Sequence, residues 1–174
     1  MLKGFSKDFL FGVATSAYQI EGDNNNDWTE WEGKAKRKRR KKLTPCGKTT
    51  GHWTRYKEDF SLLKELGVNS YRFSVEWSRI EPQPDKWNLD ALQTYVDMAK
   101  TLKGLQIEPM VTLHHYTNPI WLFQDCPWHS GKSIQRFTKF AEKVISALSP
   151  YVRYWISFNE PVVFILGGYV DGRM

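Results

Sequence analysis

A chain of 174 residues, 41% hydrophobic and 15% aromatic, has the size of one domain and is too apolar to be a disordered tail. Its net charge of +6 is local: residues 34–42 hold 8 of the 25 basic residues and leave 17 basic against 19 acidic elsewhere, which argues against a generally basic surface. No apolar run approaches the roughly 20 residues needed to span a bilayer, and no charged, then apolar, then small-residue leader opens the chain. Cys46 and Cys126 fit no metal or redox spacing, so the chain reads as cytoplasmic and free of metal.

In chain order, Phe9 to Ala14 reads as a first strand. The basic run follows, flanked by Gly33 and by Thr44-Pro45-Cys46-Gly47, and reads as a solvated loop insertion at about 33–50. Tyr56, Phe60, Leu63 and Leu66 repeat at helical spacing, and Gly67 supplies a stop. Ser70 to Val75 forms a second strand. Asn88 is a good N-cap for a helix carrying Leu89, Leu92, Val96, Ala99 and Leu102, with Gly104 after it. Pro109 to His115 is a third strand. Ile134, Phe137, Ala141, Val144 and Leu148 form a further apolar stripe, closed by Pro150, and Tyr154 to Phe158 is a fourth strand. Strand alternating with helix predicts βαβ units, a parallel sheet in order 1-2-3-4, and helices on one outer layer.

The fourth strand runs into Ser157-Phe158-Asn159-Glu160-Pro161. An Asn-Glu pair there sets an amide beside a carboxyl group at the rim of the sheet, and Pro161 ends the ladder because it has no N–H. Three more segments fit the same picture: Phe9 to Gly22, Tyr71 to Ile80, and Glu108 to His115. With residues 155–161 they resemble glycoside hydrolase family 1, the retaining β-glycosidases. The resemblance runs from about Phe5 to Met174. It implies an α/β fold, the N-terminal half of a (β/α)8 TIM-type barrel with about four βα units, and hydrolysis of β-glycosidic bonds without metal or organic cofactor.

Within that resemblance Glu160 matches the catalytic acid/base, and Asn159 would hydrogen-bond the sugar 2-hydroxyl. Gln19, read as lying at the end of the first strand, His115 and Tyr116 match substrate-binding positions. A Gln amide can donate and accept at once, which suits two vicinal hydroxyls. Tyr116 stands where Trp is more common. Arg72 would hold the nucleophile; a structural ion pair is the alternative. His114 and His115 are neighbours on a strand and face opposite ways, which argues against a shared metal. Trp77, Arg79 and Glu81 read as rim scaffolding, and Trp28 and Trp31 as packing residues. Retaining hydrolysis needs two carboxyl groups about 5–5.5 Å apart, and the family's Thr-Glu-Asn-Gly nucleophile motif does not follow Glu160. The expected partners are therefore a β-glycoside and a C-terminal half of the barrel, with neither membrane nor nucleic acid. The isolated chain is expected to be inactive. The alternative is an inactive barrel remnant whose basic run binds nucleic acid or another partner.

Overall fold

The computed structural model describes residues 4–37 and 44–170. Four parallel strands lie in the order β1-β2-β3-β4: β1 Gly12–Ala14, β2 Ser70–Ser74, β3 Glu108–His114 and β4 Tyr154–Phe158. The predicted order and direction are observed. The first strand is shorter than its sequence suggests, because only three residues pair with β2.

Between the strands run α1 Ala17–Ile20, α2 Asp27–Arg37, α3 His52–Glu65, α4 Trp77–Ile80, α5 Leu89–Gly104, α6 Ile120–Asp125 and α7 Gly131–Leu148. After β4 come α8 Pro161–Ile165 and a π-helical turn, Leu166–Val170. The three long helices are those the periodicity predicts. Gly67 takes φ 70° and closes α3 in the left-handed conformation that favours glycine. Asn88 caps α5 by accepting the Ala91 N–H at 3.0 Å. Gly104 does not follow α5; it is the last helical residue, and Gln106 takes the left-handed turn instead, at φ 60°.

Three stripe residues are not core. Leu66, Leu89 and Ile134 sit at helix ends with 60–69% of their surface exposed, beyond the reach of the sheet. The packed residues are Phe60 and Leu63 of α3, Tyr95, Met98, Ala99 and Leu102 of α5, and Phe140, Val144 and Leu148 of α7. They meet Tyr71, Phe73, Val111 and Leu113, which alternate along β2 and β3 and so share the outer face. The Trp77 ring stacks on Phe140 at a centroid distance of 4.6 Å and is fully buried. Burying side chains of this size is worth roughly 1.5–3 kcal/mol each, so this layer dominates stability.

The in-register rows Arg72–Met110–Tyr154 and Ser74–Thr112–Ile156 occupy the opposite face, the concave one. Arg72, Met110, Tyr154 and Ile156 are only half-buried there. The basic run is not wholly a loop: residues 34–37 are the last of α2, where Lys34 pairs with Glu30 at 2.5 Å. The rest of that run, 38–42, lies outside the described residues. Among the described residues no helix is long and apolar enough to cross a membrane, and no group of three His, Cys, Asp or Glu side chains could hold a metal. Both Cys46 and Cys126 are free thiols.

Candidate active site

The parallel register brings the ends of β2, β3 and β4 to one rim. The ladder continues past the last strand residues, with the Asn159 N–H donating to the His114 carbonyl at 2.9 Å. That bond sets Asn159 and Glu160 beside His115 and Tyr116. Arg72, inside β2, donates through Nη1 to Asn159 Oδ1 at 3.4 Å, and Asn159 Nδ2 donates to Glu160 Oε2 at 3.5 Å. Both are at the long limit for hydrogen bonds, so Asn159 can exchange them for a ligand at little cost. The Tyr116 hydroxyl donates to Glu160 Oε2 at 2.5 Å.

Two polar atoms at this rim are buried without partners among the described residues: Arg72 Nε and His115 Nδ1. Native interiors rarely leave such atoms unpaired, and each unmet one costs about 1–3 kcal/mol. Desolvation, and then the Arg72 charge, lower the His115 pKa to about 4; the Glu160 carboxylate pulls the other way. The imidazole is therefore neutral near pH 7 and can donate from one nitrogen and accept at the other. His114 is buried and packs against Trp128 and Phe158. Burial lowers its pKa to about 4 as well, and its Nε2–H donates to Asn118 Oδ1 at 3.0 Å.

Glu160 and Tyr116 share a backbone property that the sequence does not announce. Both are in the left-handed region, at φ 46° and φ 69°. A non-glycine residue held there costs on the order of 1–3 kcal/mol and persists only where its surroundings fix it. Those surroundings are a buried polar scaffold under the rim. Thr117 donates to Glu76 at 2.9 Å, and Ser78 donates to the other Glu76 oxygen at 2.6 Å. Asn118 donates to both oxygens of Asp27, from its backbone N–H at 2.8 Å and its side chain at 2.7 Å. Glu76, Thr117, Asn118 and Asp27 are the supporting residues that sequence reasoning missed. Only the spacing of Thr117 and Asn118 directly after the His-Tyr pair hinted at them.

Gln19 is not at a strand end. It lies on α1, five residues past β1, is exposed, and accepts from Ser16 Oγ at 2.7 Å. The parallel sheet puts α1 at the same rim, but no hydrogen bond among the described residues joins Gln19 to the other site residues. Arg72 makes no ion pair among the described residues, so the structural-pair alternative finds no carboxylate here. The scaffolding role of Trp77, Arg79 and Glu81 is observed: Trp77 Nε1 donates to Glu81 at 2.8 Å, and Arg79 pairs with Glu21 at 3.2 Å and lies over the Trp53 ring. Trp28 packs edge-on to Tyr18 and Tyr116. Trp31 is 43% exposed and lines, with Trp28, Trp128, Phe164 and Tyr169, an apolar cavity of about 440 Å³. Glu160 does not line that cavity; the Tyr116 ring, against Trp28 and Phe164, borders it.

Parallel βα units with an Asn-Glu pair at the carboxyl rim define part of a (β/α)8 barrel of the glycosidase type. The profile of "Glycosyl hydrolase family 1" matches residues 1–174, and the chain belongs to that family. It is 36% identical to the 6-phospho-beta-galactosidase of Clostridium acetobutylicum, over 99% of this chain and 36% of that protein. Against beta-glucosidase A of Acetivibrio thermocellus the identity is 36%, over 95% of this chain and 38% of the relative. The solved structure of a beta-glycosidase from Pyrococcus horikoshii superposes with a TM-score of 0.89 at 39% identity, over 98% of this chain and 39% of that one. The beta-glucosidase from Thermotoga maritima in complex with castanospermine superposes with a TM-score of 0.91 at 30% identity, over 98% and 40%. The chain thus spans between a third and two fifths of the length of these relatives.

Proposed function

We propose that this chain supplies the acid/base and part of the glycone site of a retaining β-glycosidase. The observation that carries this reading is the linked set Arg72–Asn159–Glu160 at the carboxyl rim, with Arg72 Nε and His115 Nδ1 buried and unpartnered beside it. A sugar hydroxyl can pair with His115 Nδ1, and a carboxylate can accept from Arg72 Nε, so each orphan nitrogen has a partner in such a site. Neutral His115 and the loosely held Asn159 amide are the proposed sugar contacts, with Gln19 reaching in from α1.

In this mechanism Glu160 protonates the glycosidic oxygen as the bond to the leaving group breaks, then takes a proton from water as the glycosyl-enzyme is hydrolysed. The anomeric carbon needs a nucleophilic carboxylate about 5–5.5 Å from Glu160. No described carboxyl group hydrogen-bonds to Glu160 or to its partner hydroxyl. We therefore propose that the nucleophile comes from a segment outside these 174 residues that carries the remaining barrel strands, and that Arg72 Nε is aimed at it. The substrate class is a β-linked glycoside; the relatives' names span glucosides and a 6-phosphogalactoside, and the concave rim does not single out one sugar. The free thiols of Cys46 and Cys126 support a cytoplasmic location.

The test is hydrolysis of an aryl β-glucoside by this chain alone and by this chain mixed with a relative's second barrel half. Turnover is expected only in the mixture, and Glu160→Gln should slow it most for substrates with poor leaving groups. Full activity of the mixture with Glu160→Gln on such substrates would overturn the assignment.

A further inference from the structure

Resting on the assignment of Glu160 as acid/base, we propose that Tyr116 is a positioning residue. It holds the carboxyl group by Oε2 and so leaves Oε1 as the oxygen that exchanges the proton with substrate and water. Both donors that reach Glu160 converge on the same oxygen. Tyr116 Oη donates to Oε2 at 2.5 Å and Asn159 Nδ2 at 3.5 Å, whereas Oε1 accepts no hydrogen bond among the described residues. A carboxyl oxygen that already accepts two hydrogen bonds is the poorer site for a proton, so protonation falls on the other. The 2.5 Å separation lies in the charge-assisted O–H···O⁻ range, where such bonds are about twice as strong as neutral ones.

The phenol reaches Glu160 already oriented. Tyr116 holds its left-handed backbone because its two successors are tied down, Thr117 to Glu76 and Asn118 to Asp27. Asn118 also donates back to the Tyr116 carbonyl at 3.3 Å. The ring is contacted edge-on by Trp28, His115 and Phe164, at centroid distances of 5.5–6.3 Å. Ordering a donor before reaction removes that cost from the chemical step. Desolvation first, then the hydrogen bond and charge of Glu160, push the Tyr116 hydroxyl up to about 12, so it is a donor throughout the neutral range and never the base. The other charged or titratable groups facing the pair are His115 and, through Asn159, Arg72. An apolar ring at position 116 would fill the same space and leave Oε2 without its strong donor.

The experiment is carbon-13 NMR of the labelled 174-residue chain, following Glu160 Cδ in the parent and in Tyr116→Phe. The exposed Glu142 serves as internal control. Removing the hydroxyl should displace the Glu160 Cδ resonance and leave Glu142 still. The displacement should persist both when Glu160 is ionised and when it is protonated, because the hydroxyl stays on Oε2 in both states. A displacement that vanishes on protonation would put the proton on Oε2 and overturn the proposal; so would no displacement at all. Glu160→Gln provides the reciprocal reading, which stands even if Tyr116→Phe folds poorly: Tyr116 Cζ should then titrate at lower pH than in the parent, and an unchanged titration counts against the contact. These signals report the pair without requiring turnover. Failure of the hydrolysis test with the NMR result intact would refute the acid/base reading alone.

Discussion

The two faces of the sheet are built on opposite principles. The outer face is closed by α3, α5 and α7, and its aromatic and aliphatic side chains are almost wholly buried in a continuous cluster. The concave face and its rim hold half-buried side chains, two unpartnered buried nitrogens and two strained residues, Tyr116 and Glu160. The outer layer carries most of the buried apolar packing, whereas the rim holds some of the groups awaiting partners, where the family resemblance puts the chemistry. Local strain and unmet polar groups are affordable at the rim because the outer layer over-determines the strands that carry them.

That contrast breaks most visibly at Trp77. Trp77→Ala removes the ring stacked on Phe140 and leaves a large cavity, and should cost about 3–5 kcal/mol in urea unfolding. A loss below about 1 kcal/mol would mean the outer layer does not carry the stability. Next in size is the scaffold between the two faces. Glu76→Ala leaves Ser78 and Thr117 without their acceptor and should destabilise by about 2 kcal/mol. It should also disturb the Tyr116 ring resonances, which Trp77→Ala in its folded fraction should not.

The pH dependence tests the same buried scaffold. Burial raises Glu21 from 4.5 to about 8, against the pull of Arg79 and Tyr95, and raises Asp27 from 3.8 to about 7, against the hydrogen bonds from Asn118. A raised carboxyl favours its protonated form in the folded state, so its contribution is complete below the unfolded value and is lost as pH rises through the folded one. His114 and His115 are lowered from 6.5 to about 4, so they add stability as pH rises across that interval and nothing above it. The opposing slopes should leave stability nearly flat from about pH 4.5 to 6.5 and falling from about 6.5 to 8. Urea midpoints in 0.1–1 pH steps would show it, and Glu21→Gln should flatten the upper fall; a midpoint rising toward pH 8 would contradict the burial of these carboxyls.

The smallest effect has the opposite sign. Glu160→Gly relieves a left-handed backbone at φ 46° and should stabilise the fold by about 0.5–1 kcal/mol after the entropy of glycine is subtracted, while removing the proposed acid/base. A destabilisation would show that the Tyr116–Glu160 bond outweighs the strain.

The sequence by itself determined the parallel order, the three long helices and the family. These follow from short-range features: apolar spacing along Phe60–Leu63, Tyr95–Leu102 and Phe140–Leu148, the Asn88 cap, the Gly67 stop, and four motifs in order. It also named Arg72, His115, Tyr116, Asn159 and Glu160, because motif residues keep their types. It placed Gln19 at a strand end, whereas pairing with β2 stops at Ala14 and α1 carries Gln19 beyond it. It placed Leu66, Leu89 and Ile134 on apolar helix stripes but not their exposure, since helical periodicity records which side of a helix a residue is on and not how far the neighbouring layer extends. Only the tertiary structure decided that Tyr116 donates to Glu160, and that Glu76 and Asp27 hold the turn between them. Those contacts join residues 41 to 91 positions apart, and no local pattern in a chain encodes a distance across a sheet.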